Sequence, residues 1–274
     1  MQLGIFAKTF AGADPDDALR QVAAAGYACT QFNMACAGLP SMPDSIPPQV
    51  QASVAAAAAR HKIAIAAVSG TYNMIHPDPA VRATGLARLE ALLAVAPAMG
   101  TALVTLCTGT RDPGDQWRHH PDNATPEAWR DLLAEMAQAV ELAERHGVDL
   151  GIEPERGNVV RDAAQAKRLI DEIGSPRLRI VLDPANLVEA GDALPWRETV
   201  ARAVGLLAPH LVMAHAKDRA ADNSFATVGR GAVDFGHYIG CLRGAGFAGP
   251  LVTHGLEASE AASVADFLRR ALDA

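Results

Sequence analysis

Long apolar runs are missing from this chain. Half of its residues are hydrophobic, yet no run approaches the roughly 18 to 20 residues that a membrane-spanning helix needs. No membrane partner is expected. Cysteine is scarce: Cys29, Cys36, Cys107 and Cys241 form no C-x-x-C pair, which argues against a disulfide framework or a thiolate zinc site. Positive charge is in deficit, with 24 Lys and Arg against 31 Asp and Glu for a formal net charge of -7. Basic residues cluster no further than pairs such as Arg269-Arg270, so a nucleic-acid partner is disfavoured. The opening MQLGIFAKTF offers neither a charged n-region with a long apolar stretch nor a small-residue cleavage site, and a cytoplasmic location is the expectation.

What the chain does contain is helix punctuation and short buried runs. Asp14-Pro15, Asp78-Pro79 and Thr125-Pro126 each place an N-cap residue before a proline at the first helical position, which marks three helix starts. After Thr125, residues Trp129, Leu132, Leu133, Met136, Val140 and Ala143 recur at spacings of three and four, an apolar stripe that must dock on something flat. Between the helical patterns lie eight apolar runs: LGIF, ACTQF, IAIAAV, ALVTL, VDLGI, LRIVL, LVMA and PLVT. Several are apolar almost throughout rather than alternating, as strands of a parallel sheet covered on both faces are. Eight strand-helix pairs at these intervals predict a (β/α)8 barrel. An open doubly wound sheet is the alternative, but the first strand-to-helix turn, FAKTFAGAD, lacks G-x-G-x-x-G, so a dinucleotide site is not indicated. No linker stands out, the stretch 108–125 reads as a long loop, and residues 1–274 are read as one domain.

In such a barrel the chemistry sits where strands end and βα loops begin. The last four runs end on Glu153 in GIEPERGN, Asp183 in VLDPAN, His215 in AHAKD and His254 in VTHGL. One such residue is readily explained as a carboxylate bonding loop amides or a histidine satisfied by a carbonyl. Four at equivalent strand ends converge near the barrel axis, where uncompensated carboxylates would repel each other. A divalent cation removes that cost. Oxygen and nitrogen donors without thiolate suit Mn2+, Mg2+, Co2+ or Zn2+, and the sequence does not choose among them.

GIEPERGNVV, IVLDPANL, MAHAKD and the later VGRGAVDF resemble, in order and spacing, the xylose-isomerase-like sugar isomerase/epimerase superfamily of (β/α)8 barrels. The resemblance implies one divalent metal held by Glu, Asp, His and Glu from strands five to eight, which maps onto Glu153, Asp183 and His215. At the fourth position similar sequences carry Glu where this chain has His254. A neutral imidazole still ligates, and Glu257 is the weaker substitute. A second departure is Asn186, where many relatives use a histidine on the substrate; asparagine hydrogen-bonds a hydroxyl but shuttles no proton.

The activity implied is isomerisation or epimerisation of a sugar, keto-sugar or related polyol, with a metal-stabilised enediolate formed by proton abstraction. In relatives that epimerise, two metal-ligating Glu side chains trade the proton; here Glu153 and His254 form the pair, which gives weight to a one-base isomerase. A metal-dependent lyase or dehydratase of a keto-sugar, inosose or dehydroshikimate-like ring is the alternative. A barrel that has lost its chemistry is a third reading, and an abasic-site endonuclease lacks the basic surface it needs. Around the mouth, Glu155, Arg156, Asn158, Lys217, Arg230, His76 and Trp117 join Asn186 as substrate-binding candidates. Each also has a plainer reading: Arg156 pairing with Glu155, Lys217 with Asp218, Arg230 an exposed loop residue between two glycines, Trp117 a loop aromatic covering the mouth. The expected partner is a small carbohydrate-like molecule, and a homo-oligomer is compatible with the sequence.

Overall fold

A computed structural model describes residues 1–192 and 194–274. Eight parallel strands close into a barrel: β1 (Gln2–Phe6), β2 (Cys29–Phe32), β3 (Ala64–Ser69), β4 (Leu103–Leu106), β5 (Asp149–Ile152), β6 (Leu178–Leu182), β7 (Leu211–Ala216) and β10 (Pro250–Thr253). Closure is made by β1, which pairs with β2 on one side and β10 on the other, with Gly4 opposite both Cys29 and Val252. The expected eight runs are the eight barrel strands, and the seventh extends past LVMA to carry His215. Between β7 and β10 the chain adds a small antiparallel hairpin, β8 (Asp218–Arg219) with β9 (Phe225–Ala226), which no apolar run in the sequence announced.

Helices cover the barrel, and the three proline-marked starts open α1 (Pro15–Ala24), α3 (Pro79–Val95) and α4 (Pro126–His146). Asp14, Asp78 and Thr125 each accept a backbone N–H of the first turn through the side chain, satisfying donors that the helix itself leaves orphaned. On α4 the stripe lies where its period requires: Trp129, Leu132, Met136, Val140 and Ala143 are buried. The remaining helices are α2 (Pro48–His61), α5 (Ala163–Ile173), the one-turn α6 (Pro184–Leu187), α7 (Trp196–Leu207), α8 (Phe235–Gly244) and α9 (Ala261–Asp273). His61 and His146 end α2 and α4, as a favourable position in the helix dipole predicts. Among the described residues no helix is long and apolar enough to cross a membrane.

The barrel interior is filled by Ala67, Leu103, Val181, Met213 and Val252, and Gly4 and Gly151 make room for them. A Cβ on Gly4 would stand 2.6 Å from Cys29 Sγ and 2.9 Å from the Cys29 carbonyl oxygen, and a strand backbone cannot move aside as a flexible side chain can. Gly4→Ala is therefore expected to cost about 1–3 kcal/mol of stability through overpacking. Thermal or urea unfolding measures it, and an unchanged midpoint would show that the interior yields at this point. Above this apolar layer the interior turns polar at Gln31, Ser69, Thr105, Glu153, Asp183, His215 and His254, while β1 contributes Phe6.

Candidate active site

The side chains that end the strands meet at one point. Glu153, Asp183, His215 and His254 each offer one ligand atom, and these atoms lie within 4.8 Å of one another. The convergence follows from strand register: each residue continues the inward-facing alternation of its strand, and parallel neighbours bring successive ends to the same height. Asp183 is also the N-cap of α6, where Oδ1 accepts the Ala185 N–H at 2.9 Å. One oxygen is thus spent on the helix and Oδ2 is left over. Glu257 is elsewhere: exposed, it forms a capping box with Glu260 at the start of the helical segment leading into α9. Of the two candidates for the fourth position, only His254 belongs to the cluster.

The electrostatics of the four are unequal. Asp183 is fully buried; burial would push its carboxyl up, but Lys217, His254 and His215 outweigh burial and hold it below the usual carboxylate range. Lys217 Nζ lies 3.6 Å from Asp183 Oδ2. For His254 burial prevails and lowers the imidazole's pKa, favouring the neutral ring. His215 is likewise opposed by burial, but the Glu153 carboxylate raises it on balance. Its Nδ1 is 3.1 Å from Glu153 Oε1, and the same oxygen accepts Asn186 Nδ2 at 2.9 Å. Burial, followed by the charge of Glu153, pushes the Glu155 carboxyl up to about 8.

Do these residues fit a divalent cation? Two buried polar atoms of the cluster, Asp183 Oδ2 and His254 Nε2, lack a hydrogen-bond partner among the described residues, although they stand only 3.4 Å apart. Buried polar atoms are ordinarily satisfied, and an orphaned pair points to a missing partner. Two carboxylates and two imidazoles held this closely are a donor set that a cation completes. The fit is good.

The cluster forms part of a cavity of about 760 Å³ at the barrel mouth, a size suited to a small molecule. Glu155, Arg156, Asn186, Lys217 and Trp117 line it, with Phe6, Gln31, Arg219 and Phe225, which sequence reasoning did not single out. Lys217 Nζ stacks over the Phe225 ring at 3.7 Å. Trp117 and Phe225 are among the few large apolar side chains left half exposed, and both stand at this opening.

Other candidates have different work. Arg156 borders the cavity but spends its charge on the next loop, donating to the Leu187 carbonyl at 2.9 Å and pairing with Glu189 and Asp192. Its partners are thus not Glu155. Asn158 is buried outside the cavity lining, where its Oδ1 accepts the Gly109 N–H at 2.8 Å and anchors the long loop 107–125. His76 lies in a separate depression, with Nδ1 accepting the Asp78 N–H and Nε2 bonded to the Pro113 carbonyl. Arg230 points outward, 70% exposed, and pairs with Glu260 at 3.2 Å. The glycines around it serve Asp218 instead, whose carboxylate accepts the N–H groups of Arg219, Gly229, Gly231 and Val233. A Cβ on Gly231 would come within 2.2 Å of Asp218 Oδ1. The K-D and G-R-G motifs are therefore two halves of one loop clasp.

Residues 19–271 match the family described as xylose isomerase-like TIM barrel. No curated protein matches the sequence. Similar solved structures include 3-keto-D-glucoside 4-epimerase from E. coli, 17% identical over 98% of this chain and 99% of that one with a TM-score of 0.78. L-ribulose 3-epimerase is 19% identical over 99% and 94%, with a TM-score of 0.78. D-psicose 3-epimerase from Clostridium cellulolyticum H10, solved with D-tagatose, is 17% identical over 99% of each chain, with a TM-score of 0.73. At these identities the likeness is one of fold.

Proposed function

The chain belongs to the xylose isomerase-like TIM barrel family, and on that premise we propose that it is a divalent-metal-dependent isomerase or epimerase of a sugar, keto-sugar or related polyol. The observation that carries this reading is the cluster of Glu153, Asp183, His215 and His254 with its two orphaned atoms. The epimerase names of three structural neighbours lend it support. A cation held by these four residues would supply Lewis-acid polarisation of a substrate carbonyl and so acidify the adjacent C–H.

The rest is done by side chains. Glu153 is the base. Asn186 Nδ2 donates to Oε1, the oxygen that also faces His215 Nδ1, so Oε2 has no partner among the described residues and takes the proton. Negative charge then grows on the substrate oxygens, and the Lys217 ammonium in the cavity wall offsets it. Return of the proton from Glu153 to the neighbouring carbon, with the hydroxyl proton passing from one substrate oxygen to the other, completes an aldose–ketose type of isomerisation with one base. Trp117 and Phe225 at the opening offer apolar faces to a sugar ring and narrow the path for water. The working unit is the whole barrel, residues 1–274, acting in the cytoplasm on a small molecule.

A second reading follows from His254. With imidazole where similar sequences have glutamate, only one carboxylate base of the pair remains, which suits β-elimination from a keto-sugar, inosose or dehydroshikimate-like ring as well as one-base isomerisation. Both begin by removing a proton next to a carbonyl. Protein loaded with Mn2+, Co2+, Zn2+ or Mg2+ and incubated in D2O with a panel of keto-sugars and cyclic polyols is expected to exchange one carbon-bound hydrogen of its substrate. Exchange without loss of water identifies the isomerase and exchange with it the lyase. No exchange, no isomer and no dehydrated product over the whole panel in metal-loaded protein would overturn both.

A further inference from the structure

Gln31 is an uncharged residue on a buried strand, yet its amide is satisfied on both sides. Nε2 donates to Ser69 Oγ at 2.9 Å and to Thr105 Oγ1 at 3.1 Å, while Oε1 bonds His215 Nε2 at 2.8 Å. The residue is 7% exposed, and Ser69, Thr105 and His215 are buried with it. With the NH2 group on the two hydroxyls, at the ends of β3 and β4, the carbonyl oxygen faces the imidazole. An imidazole nitrogen facing a carbonyl oxygen at 2.8 Å must carry a proton. With that proton held on Nε2, the other nitrogen, Nδ1, lies 3.1 Å from Glu153 Oε1 and faces the cluster, where a cation would displace the proton it shares with Glu153.

We propose that Gln31 is a positioning residue that, held by Ser69 and Thr105, fixes the tautomer and the aim of His215 so that Nδ1 is its metal-ligating nitrogen. The inference rests on the metal-site reading above. Partners behind a ligating histidine orient the ring and raise its basicity, and their loss commonly costs 10 to 100-fold in metal affinity.

The test uses the full chain, labelled with 15N in histidine, with 113Cd2+ as a diamagnetic probe metal. In the unmodified protein the expected result is one-bond coupling of 113Cd to His215 Nδ1, with a slowly exchanging proton on Nε2. Gln31→Leu is expected to weaken Cd2+ binding about 10 to 100-fold in chelator competition and to lose the protected proton. Gln31→Glu keeps an acceptor facing Nε2 and should recover most of the affinity, which a residue that merely fills space would not. Coupling through Nε2 would overturn the proposal while leaving the metal site intact, as would unchanged affinity in Gln31→Leu. Failure of the unmodified protein to bind Cd2+ would overturn the metal reading and this one together. Should Gln31→Leu not fold, the coupling in the unmodified protein decides.

Discussion

Asp183→Ala protein is expected to leave purification essentially without bound divalent metal, where the unmodified chain carries about one ion. The loss should exceed the roughly 10 to 100-fold that follows from disturbing a ligand's outer partners, because it removes a charged donor from the centre of the cluster. Asp183 has two roles, and alanine removes both: Oδ2 belongs to the site, and Oδ1 caps α6 through Ala185. Asp183→Asn separates them. The amide oxygen still caps the helix, so the fold and the neighbouring Asn186 stay in place while the charge is gone. Elemental analysis of both variants after dialysis gives the answer, and full metal content in either would mean that the cation site has been misassigned.

Glu153→Gln is expected to lower turnover about 100 to 10,000-fold, the range that a general base contributes, in protein supplied with excess metal. The amide carbonyl can still accept from Asn186, so little should change in the packing around it. What it cannot do is take a proton. Solvent deuterium exchange into substrate should therefore vanish along with product formation. A variant that keeps near-normal exchange would exclude Glu153 as the base and direct attention to the other carboxyl in the cavity, Glu155.

These residues were legible from sequence because they break a pattern: Glu153, Asp183, His215 and His254 each end an apolar run with an ionisable group, and a buried strand tolerates that only for a reason. The barrel was legible for a related reason, since strands covered on both faces carry continuous apolar runs whose number and spacing leave few architectures. Gln31, Ser69 and Thr105 escaped because they are uncharged, sit inside ordinary-looking strands, and acquire meaning only when β2, β3, β4 and β7 share one interior. Arg156 borders the cavity, but its ion pairs were not legible. Its place beside Glu153 suggested a substrate contact, but its partners Glu189 and Asp192 lie more than 30 residues further along, beyond what local spacing shows. The β8–β9 hairpin was missed because two-residue strands have no periodicity to detect.

The polar layer above the barrel core divides labour by halves of the chain. All four members of the cluster come from β5 onward, whereas the amide and hydroxyls that brace His215 come from β2, β3 and β4. The second half therefore supplies the cluster, and the first half braces one member of it, His215. A barrel of this kind cannot be improved by trading one half for that of another barrel on the strength of matching ligand motifs. Such a chimera would inherit all four side chains of the cluster and still lose the amide and hydroxyls that hold one of them.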